Sequence, residues 1–285
     1  MGDRANFVLL DGNRAVHGPY VDKYGAVGLD LALLAGPART VERIRALGPG
    51  GYWLDDVFCQ GAVLVDLPRR VLLFFAWEGP STDPRLRAAV FALLREAWPG
   101  WEVRWCLDGN ADLLRYLGRD PETVRDRDVR PVVAPPLSAE WEVAAEESAL
   151  VVVTVGPSRS RSRSSSRCHL LADIGDHPAT EGPALLQRLD GATDFSHREV
   201  AADAGLHLDP ERRTLGWWTL TNLPDPDAVP ARWPGWTVHR WDDDPARHLA
   251  AVPGLFALPE VDPGAARAAV LRAAENDNAR RAGRS

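Results

Sequence analysis

The sequence predicts an α+β fold built as an internal tandem duplication: two copies of a hairpin-helix-hairpin-helix-strand-helix unit with mixed sheets, packed as a pseudo-dimer. Three observations lead there. Trp98-Pro99-Gly100-Trp101 recurs as Trp233-Pro234-Gly235-Trp236. Upstream, Asp66, Arg69, Arg70 and Leu72 fall in the same register as Asp209, Arg212, Arg213 and Leu215, and downstream Val103 and Val238 sit at equal distance. Each copy then closes on a glycine, Gly118 and Gly254.

The elements follow in order. Phe7–Leu10, the turn Asp11-Gly12-Asn13 and an extended piece to Tyr20 read as a hairpin, because Asp-Gly supplies the positive φ of a tight turn. Pro37 is placed as a first helical residue, and Val41, Ile44 and Leu47 give a short amphipathic helix ending at Gly48. Gly61–Val65 and Val71–Trp77 form a second hairpin, whose apolar return strand implies burial on both faces and a central place in the sheet. Asp83-Pro84 opens a helix through Leu86, Val90, Leu93, Leu94 and Ala97. Pro99 and Gly100 then make a type II turn into a strand with Trp101, Val103 and Trp105 on one face. Asp108 reads as the cap of a closing helix, Ala111–Leu117.

The second copy repeats this with Ala149–Val155 and Cys168–Ile174, a helix at Pro183–Leu189, a hairpin of Gly205–Leu208 and Thr214–Thr221, and a helix shortened to Asp225–Arg232. One extra residue before Trp241 puts that side chain on the opposite strand face from Trp236, unless a bulge restores register. The boundaries expected are 1–118 for the first repeat, 119–147 for a charged, Pro-rich linker, 148–258 for the second, diverged repeat, and 259–285 for a C-terminal helix with a basic tail. Trp98, Trp101, Trp233 and Trp236 are the expected structural anchors, since a buried Trp removes about 150–250 Å² of surface from water.

Composition narrows the chemistry. A chain with 45% hydrophobic residues can bury a sizeable core. A net charge of −7 opposes general attraction to nucleic acid or anionic lipid. Thirty-two of the 33 basic residues are Arg, Lys23 being the exception, which reads as a bacterial coding bias. Cys59, Cys106 and Cys168 are odd in number and widely spaced, which points to a reducing, cytoplasmic setting and away from a disulfide framework or structural zinc. The N-terminus lacks a signal-peptide pattern, and the longest apolar run is too short to span a bilayer.

Four segments carry enough chemistry to weigh. Trp53, Asp55 and Asp56, with Arg39 and Arg43 nearby, are the expected partner or ligand site: paired carboxylates beside aromatics suit a basic side chain or a polar ligand. His169, Asp173 and His177 are outside candidates for a metal site, although the expected cofactor complement is none. Asp242-Asp243-Asp244 ends a strand and reads as a helix cap, Asp244-Pro245, in preference to a cation site, because consecutive side chains diverge. The Arg-Ser run 158–167 reads as a polar loop, since no aromatic is interleaved to stack bases. The other histidines show no metal-ligand spacing.

Arg4-Ala5-Asn6-Phe7, Leu54-Asp55-Asp56-Val57, Gly61–Asp66, Arg69–Phe74 and Trp98–Trp105 together resemble an uncharacterised bacterial protein family with a Trp-Pro-Gly-Trp motif. The resemblance covers mainly residues 4–118. It implies a shared fold and no particular activity. The sequence itself favours a non-catalytic cytosolic binding or regulatory protein, immunity-like, whose partner is another protein. A small-molecule ligand is a lesser option, and no membrane or nucleic-acid partner is expected. The alternatives are a metal-assisted hydrolase and an RNA-binding protein using the Arg-Ser loop.

Overall fold

The computed structural model describes residues 3–48, 51–126, 135–138, 150–157, 165–172, 176–223 and 225–282. The fold is α+β, with two mixed five-stranded sheets in two compact units. Residues 1–129 and 261–285 make the first unit and residues 130–260 the second. Asp173, positions 158–164 of the Arg-Ser run and most of the expected linker lie outside the described residues.

In the first unit, β1 (Ala5–Leu10) pairs antiparallel with β2 (Val16–Asp22) and parallel with β3 (Gly61–Asp66). β3 forms the expected hairpin with β4 (Val71–Ala76), and β5 (Glu102–Trp105) adds in parallel on the far side of β4. The order is β2-β1-β3-β4-β5, so β4 is internal as its unbroken apolar sequence requires, while β3 is the middle strand. Alternation splits the sheet cleanly. Phe7, Leu9, Val63, Val65, Leu72 and Phe74 face α1 (Leu29–Leu33), α2 (Gly36–Ala46) and α3 (Arg87–Ala97). Val8, Leu10, Leu64, Leu73 and Phe75 face Leu113 of α4 (Gly109–Tyr116). α1 has no counterpart among the expected elements, and α3 starts at Arg87, later than Asp83-Pro84 implied.

The second unit runs β7-β6-β8-β9-β10, from β6 (Leu150–Val155), β7 (Arg167–Ala172), β8 (Ala204–Asp209), β9 (Thr214–Thr219) and β10 (Thr237–Arg240). Its pairing directions copy those of the first sheet strand for strand. Its helices are α5 (Ala184–Arg188), α6 (Val229–Arg232) and α7 (Pro245–Ala251). Asp244 caps α7 by accepting the Ala246 N–H, as its position before Pro245 predicts. Asp108 in the first unit does not cap α4. Its carboxylate is bound by Arg115 and Arg125, which compete for the same oxygens with full charges.

The recurring Trp motif makes the same corner twice. Gly100 and Gly235 both have φ +77°, the value a type II turn demands at that place. The Trp98 indole donates to Leu33 O at 2.8 Å and the Trp233 indole to Ala179 O at 2.7 Å. Each stacks edge-on against the following Trp, with ring centroids 4.9 Å apart for Trp98 and Trp101 and 5.0 Å for Trp233 and Trp236. Trp241, by contrast, lies on the face opposite Trp236: the β9–β10 register is regular and no bulge restores it. It fills the space left by Gly216, where a Cβ would come within 1.9 Å of its ring.

The C-terminal helix α8 (Pro263–Ala282) returns to the first unit, where Val270 is fully buried against α1 and α3. Arg267 forms a bidentate pair with Glu96. Asp277, 3% exposed, presses its carboxylate on Gly28 and binds Arg281, which also donates to the Val27 and Gly28 carbonyls.

If the two Trp corners anchor equivalent positions, Trp98→Phe and Trp233→Phe should each lower stability by about 1–2 kcal/mol through the orphaned carbonyl. Denaturant unfolding followed separately in each unit checks this, with two similar decrements expected.

Candidate functional site

The residues expected to form one site are divided between the two faces of the first sheet. Arg39 is exposed and pairs with Glu42 one helical turn on, and Arg43 bonds Asp22 at 3.1 Å with its guanidinium 5.0 Å above the Phe7 ring. Both sit on α2. Trp53, Asp55 and Asp56 lie on the other side, where Trp53 packs on Ala111, Leu114 and Val124. The expectation of one acid-and-arginine pocket is corrected accordingly. It failed because Leu54, between them, faces the α4 side of the core and carries its neighbours there. α2 does border an open groove of about 510 Å³, lined by Pro37, Val41, Arg45 and Leu67, but neither Arg39 nor Arg43 lines it.

Both carboxylates are engaged within the chain. Asp55 Oδ1 accepts the N–H groups of Val57 and Phe58 at 3.1 and 2.8 Å, building the turn that presents Phe58. Asp56 accepts the Asp126 N–H and lies 3.7 Å from Arg125, while burial raises its carboxyl above the usual range. Arg125 also reaches Asp108, which Arg115 shares. This network holds the 3-10 turn Pro121–Val124 against α4.

Asp55 contributes to a second arrangement at the end of the sheet where β1 and β3 begin and β2 and β4 finish. There Tyr24, Tyr52, Phe58 and Trp77 are 53%, 64%, 49% and 39% exposed. Their backbones are fixed: Tyr24 N–H bonds Asp22, Trp77 N–H bonds Gln60 O, and Asn6 donates to Tyr52 O. The Arg4 guanidinium sits 5.6 Å over the Phe58 ring, and Arg4 and Gln60 bond each other through both N–H groups.

The two outside metal candidates that are described, His169 and His177, each bond backbone groups. His169 Nδ1 donates to Thr193 O at 2.8 Å, and His177 is held by backbone on both nitrogens. Among the described residues, no three His, Cys, Asp or Glu side chains group as a metal site. The three cysteines are buried, and burial pushes the Cys59 and Cys168 thiols up to about 12 and the Cys106 thiol well upward, so none is an available nucleophile.

Two of the histidines set aside for want of ligand spacing, His207 and His248, meet in a buried polar cluster of the second unit. Thr154 on β6 is fully buried, with its hydroxyl 2.9 Å from His207 Nδ1 and 2.7 Å from Nε2 of His248 on α7. The Trp218 indole N–H donates to His248 Nδ1 at 3.1 Å. Since His248 Nδ1 accepts, its Nε2 must carry the proton and donate to Thr154. The hydroxyl then has only His207 Nδ1 to donate to. Three donors meet three acceptors in one direction, Trp218 to His248 to Thr154 to His207. Burial drives His248 down to about 3, with the neighbouring His207 adding to the effect, and burial lowers His207 as well. The legible signal was Gly205 and Gly216, inside strands where glycine marks a close approach. A Cβ on Gly205 would meet the Trp218 and His248 rings at 2.3–2.7 Å.

Comparison with known proteins adds nothing to this geometry: no protein-family model, no curated protein and no solved structure matches the chain. No helix among the described residues is long and apolar enough to cross a membrane.

The Thr154 hydroxyl is the link on which the cluster depends. Thr154→Val should cost about 1–3 kcal/mol, because it strands the His248 donor and the His207 acceptor. Thr154→Ser should recover most of the loss, as the difference between the two denaturant midpoints would show.

Proposed function

We propose that this is a non-catalytic, cytosolic binding or regulatory protein that recognises another polypeptide through the exposed aromatics of the first unit. The observation that carries the reading is the set Tyr24, Tyr52, Phe58 and Trp77, exposed at one sheet end yet fixed by hydrogen-bonded turns. Exposed aromatics with few rotatable bonds make the anchors of protein interfaces, since they bury large areas at small entropic cost. Asp55 serves this surface by positioning Phe58, a role different from the direct contact its sequence context suggested.

Masking a partner, as an immunity-type regulator does, needs only such a surface and no reacting group. The test is affinity capture on the full chain, comparing the wild type with Phe58→Ser/Trp77→Ser and with Val261→Ser, a control on an exposed apolar residue outside the aromatic set. A polypeptide retained by the wild type and the control, and depleted at least about tenfold on the double variant, is expected. Equal retention on all three would refute the assignment of the surface.

A further inference from the structure

We propose that the second unit is an acid-labile module, opened by protonation of His177, His207 and His248 at pH values where the first unit stays folded. The proposal stands on hydrogen bonds whose direction leaves no room for another proton. His248 Nδ1 receives the Trp218 indole N–H and His177 Nδ1 receives the Ala179 amide N–H at 3.1 Å. Neither donor can rotate its hydrogen away, so a proton on either ring nitrogen sets two hydrogens on one contact. At His207 the incoming proton would meet the Thr154 hydroxyl hydrogen, and Thr154, fully buried, would have to turn it away from its partner.

Two of the rings meet at Trp218, and His207 joins them through Thr154. His177 Nε2 donates to the Trp218 carbonyl at 3.1 Å from one side of β9, while the Trp218 indole supports His248 on the other. Opening either histidine therefore loosens the same strand. His248 is also enclosed by aromatic rings, with Phe256 4.9 Å and Trp241 5.7 Å away between centroids.

Among the described residues, no facing charge compensates an added proton at His248. On β8 the groups near it are His207 and, at the strand end, Asp209, whose charge acts on His207. β9 has no titratable side chain between Thr214 and Thr219. On β10, His239 is exposed in the row beyond Gly216, and on α7 Arg247 is occupied by Asp244. Around His177 stand Asp176 beside it in the chain, Glu181 and Arg188 paired with each other, and exposed Arg232 on α6.

The sign follows from linkage. An unfolded His takes up a proton near pH 6.5. In the fold, burial holds His177 down to about 4 and His248 down to about 3. Stability from these groups is therefore complete above about pH 6.5 and is lost as pH falls from there toward the folded values. The first unit holds no buried histidine: its single one, His17, is a surface residue paired with Asp11. Burial raises the carboxyls of Asp30, Asp56 and Asp112, which take a proton more readily folded than unfolded, and the carboxylates held low by hydrogen bonds, Asp11, Glu96 and Glu102, lie at the surface.

The cysteines report each unit separately, since Cys168 is buried in the second and Cys59 and Cys106 in the first. The full chain is pulsed with 4,4′-dithiodipyridine, which remains reactive in acid, at about pH 7.5 and about pH 4.5, and each rate is normalised to the denatured chain at the same pH. The expected result is a rise of at least about tenfold for Cys168 at the lower pH, with Cys59 and Cys106 still protected. His248→Gln, which keeps one acceptor and one donor without a titration, should move the Cys168 midpoint to lower pH. Protection of Cys168 at about pH 4.5, or exposure of all three cysteines together, would overturn the proposal with the wild-type chain alone.

Discussion

One buried hydrogen bond, made twice, sets the frame of both units. A Trp at the end of a helix donates its indole N–H to a carbonyl on a neighbouring segment, Leu33 in one unit and Ala179 in the other. The turn that follows can then leave in only one direction, and it delivers the edge strand in parallel to the hairpin behind it. The next backbone bonds agree as well: Glu102 N–H to Arg70 O and Thr237 N–H to Arg213 O are both 2.8 Å. Arg70 and Arg213, at φ 53° and 52°, close their hairpins at matching places. Gly36 and Gly182 let a backbone carbonyl of the helix before the Trp, from Ala97 and Arg232, approach closely. A four-residue motif thus fixes a helix, a turn and a strand at once.

On that shared frame the two interiors solve the same problem with different chemistry. One row across the first sheet reads Val8, Leu64, Leu73 and Arg104; in the second it reads Thr154, His207, Gly216 and His239. The neighbouring row changes from Asn6, Ala62 and Phe75 to Val152, Gly205 and Trp218. Volume is conserved by exchange, with two glycines making room for Trp218, His248 and Trp241. Each unit also joins its first strand to its closing helix by one polar contact, Asn6 with Asn110 and Thr154 with His248. Buried polar contacts of this kind are costly if broken and specific if complete.

Local signals explain what could be read from the chain. The hairpins, α2, the Trp corners and the capping role of Asp244 each announce themselves within a few residues, through period-two alternation, turn glycines or an acid before proline. The site was less legible because it depends on distant pairings. Asp55 and Arg43 are twelve positions apart, yet Leu54 and Ile44 face opposite sides of one sheet. His207 and His248 carry no metal spacing, and only the β6–β8 register with the approach of α7 brings them to Thr154. Asp108 looked like a cap because Arg125, one of the two arginines that claim it, lies seventeen positions away.

The return of α8 makes the second unit an insertion within the first. Ribosomal synthesis finishes residues 130–260 before the helix that covers α1 and α3 has emerged, so the first unit to begin is the last to be completed. Connectivity also changes what a protease can achieve. A single nick between residues 126 and 150 leaves the downstream fragment holding α8, whose Val270, Arg267 and Arg281 contacts tie it to the upstream one. The pieces of a once-cut chain remain tied through α8, and a second cut before Pro263 removes that tie.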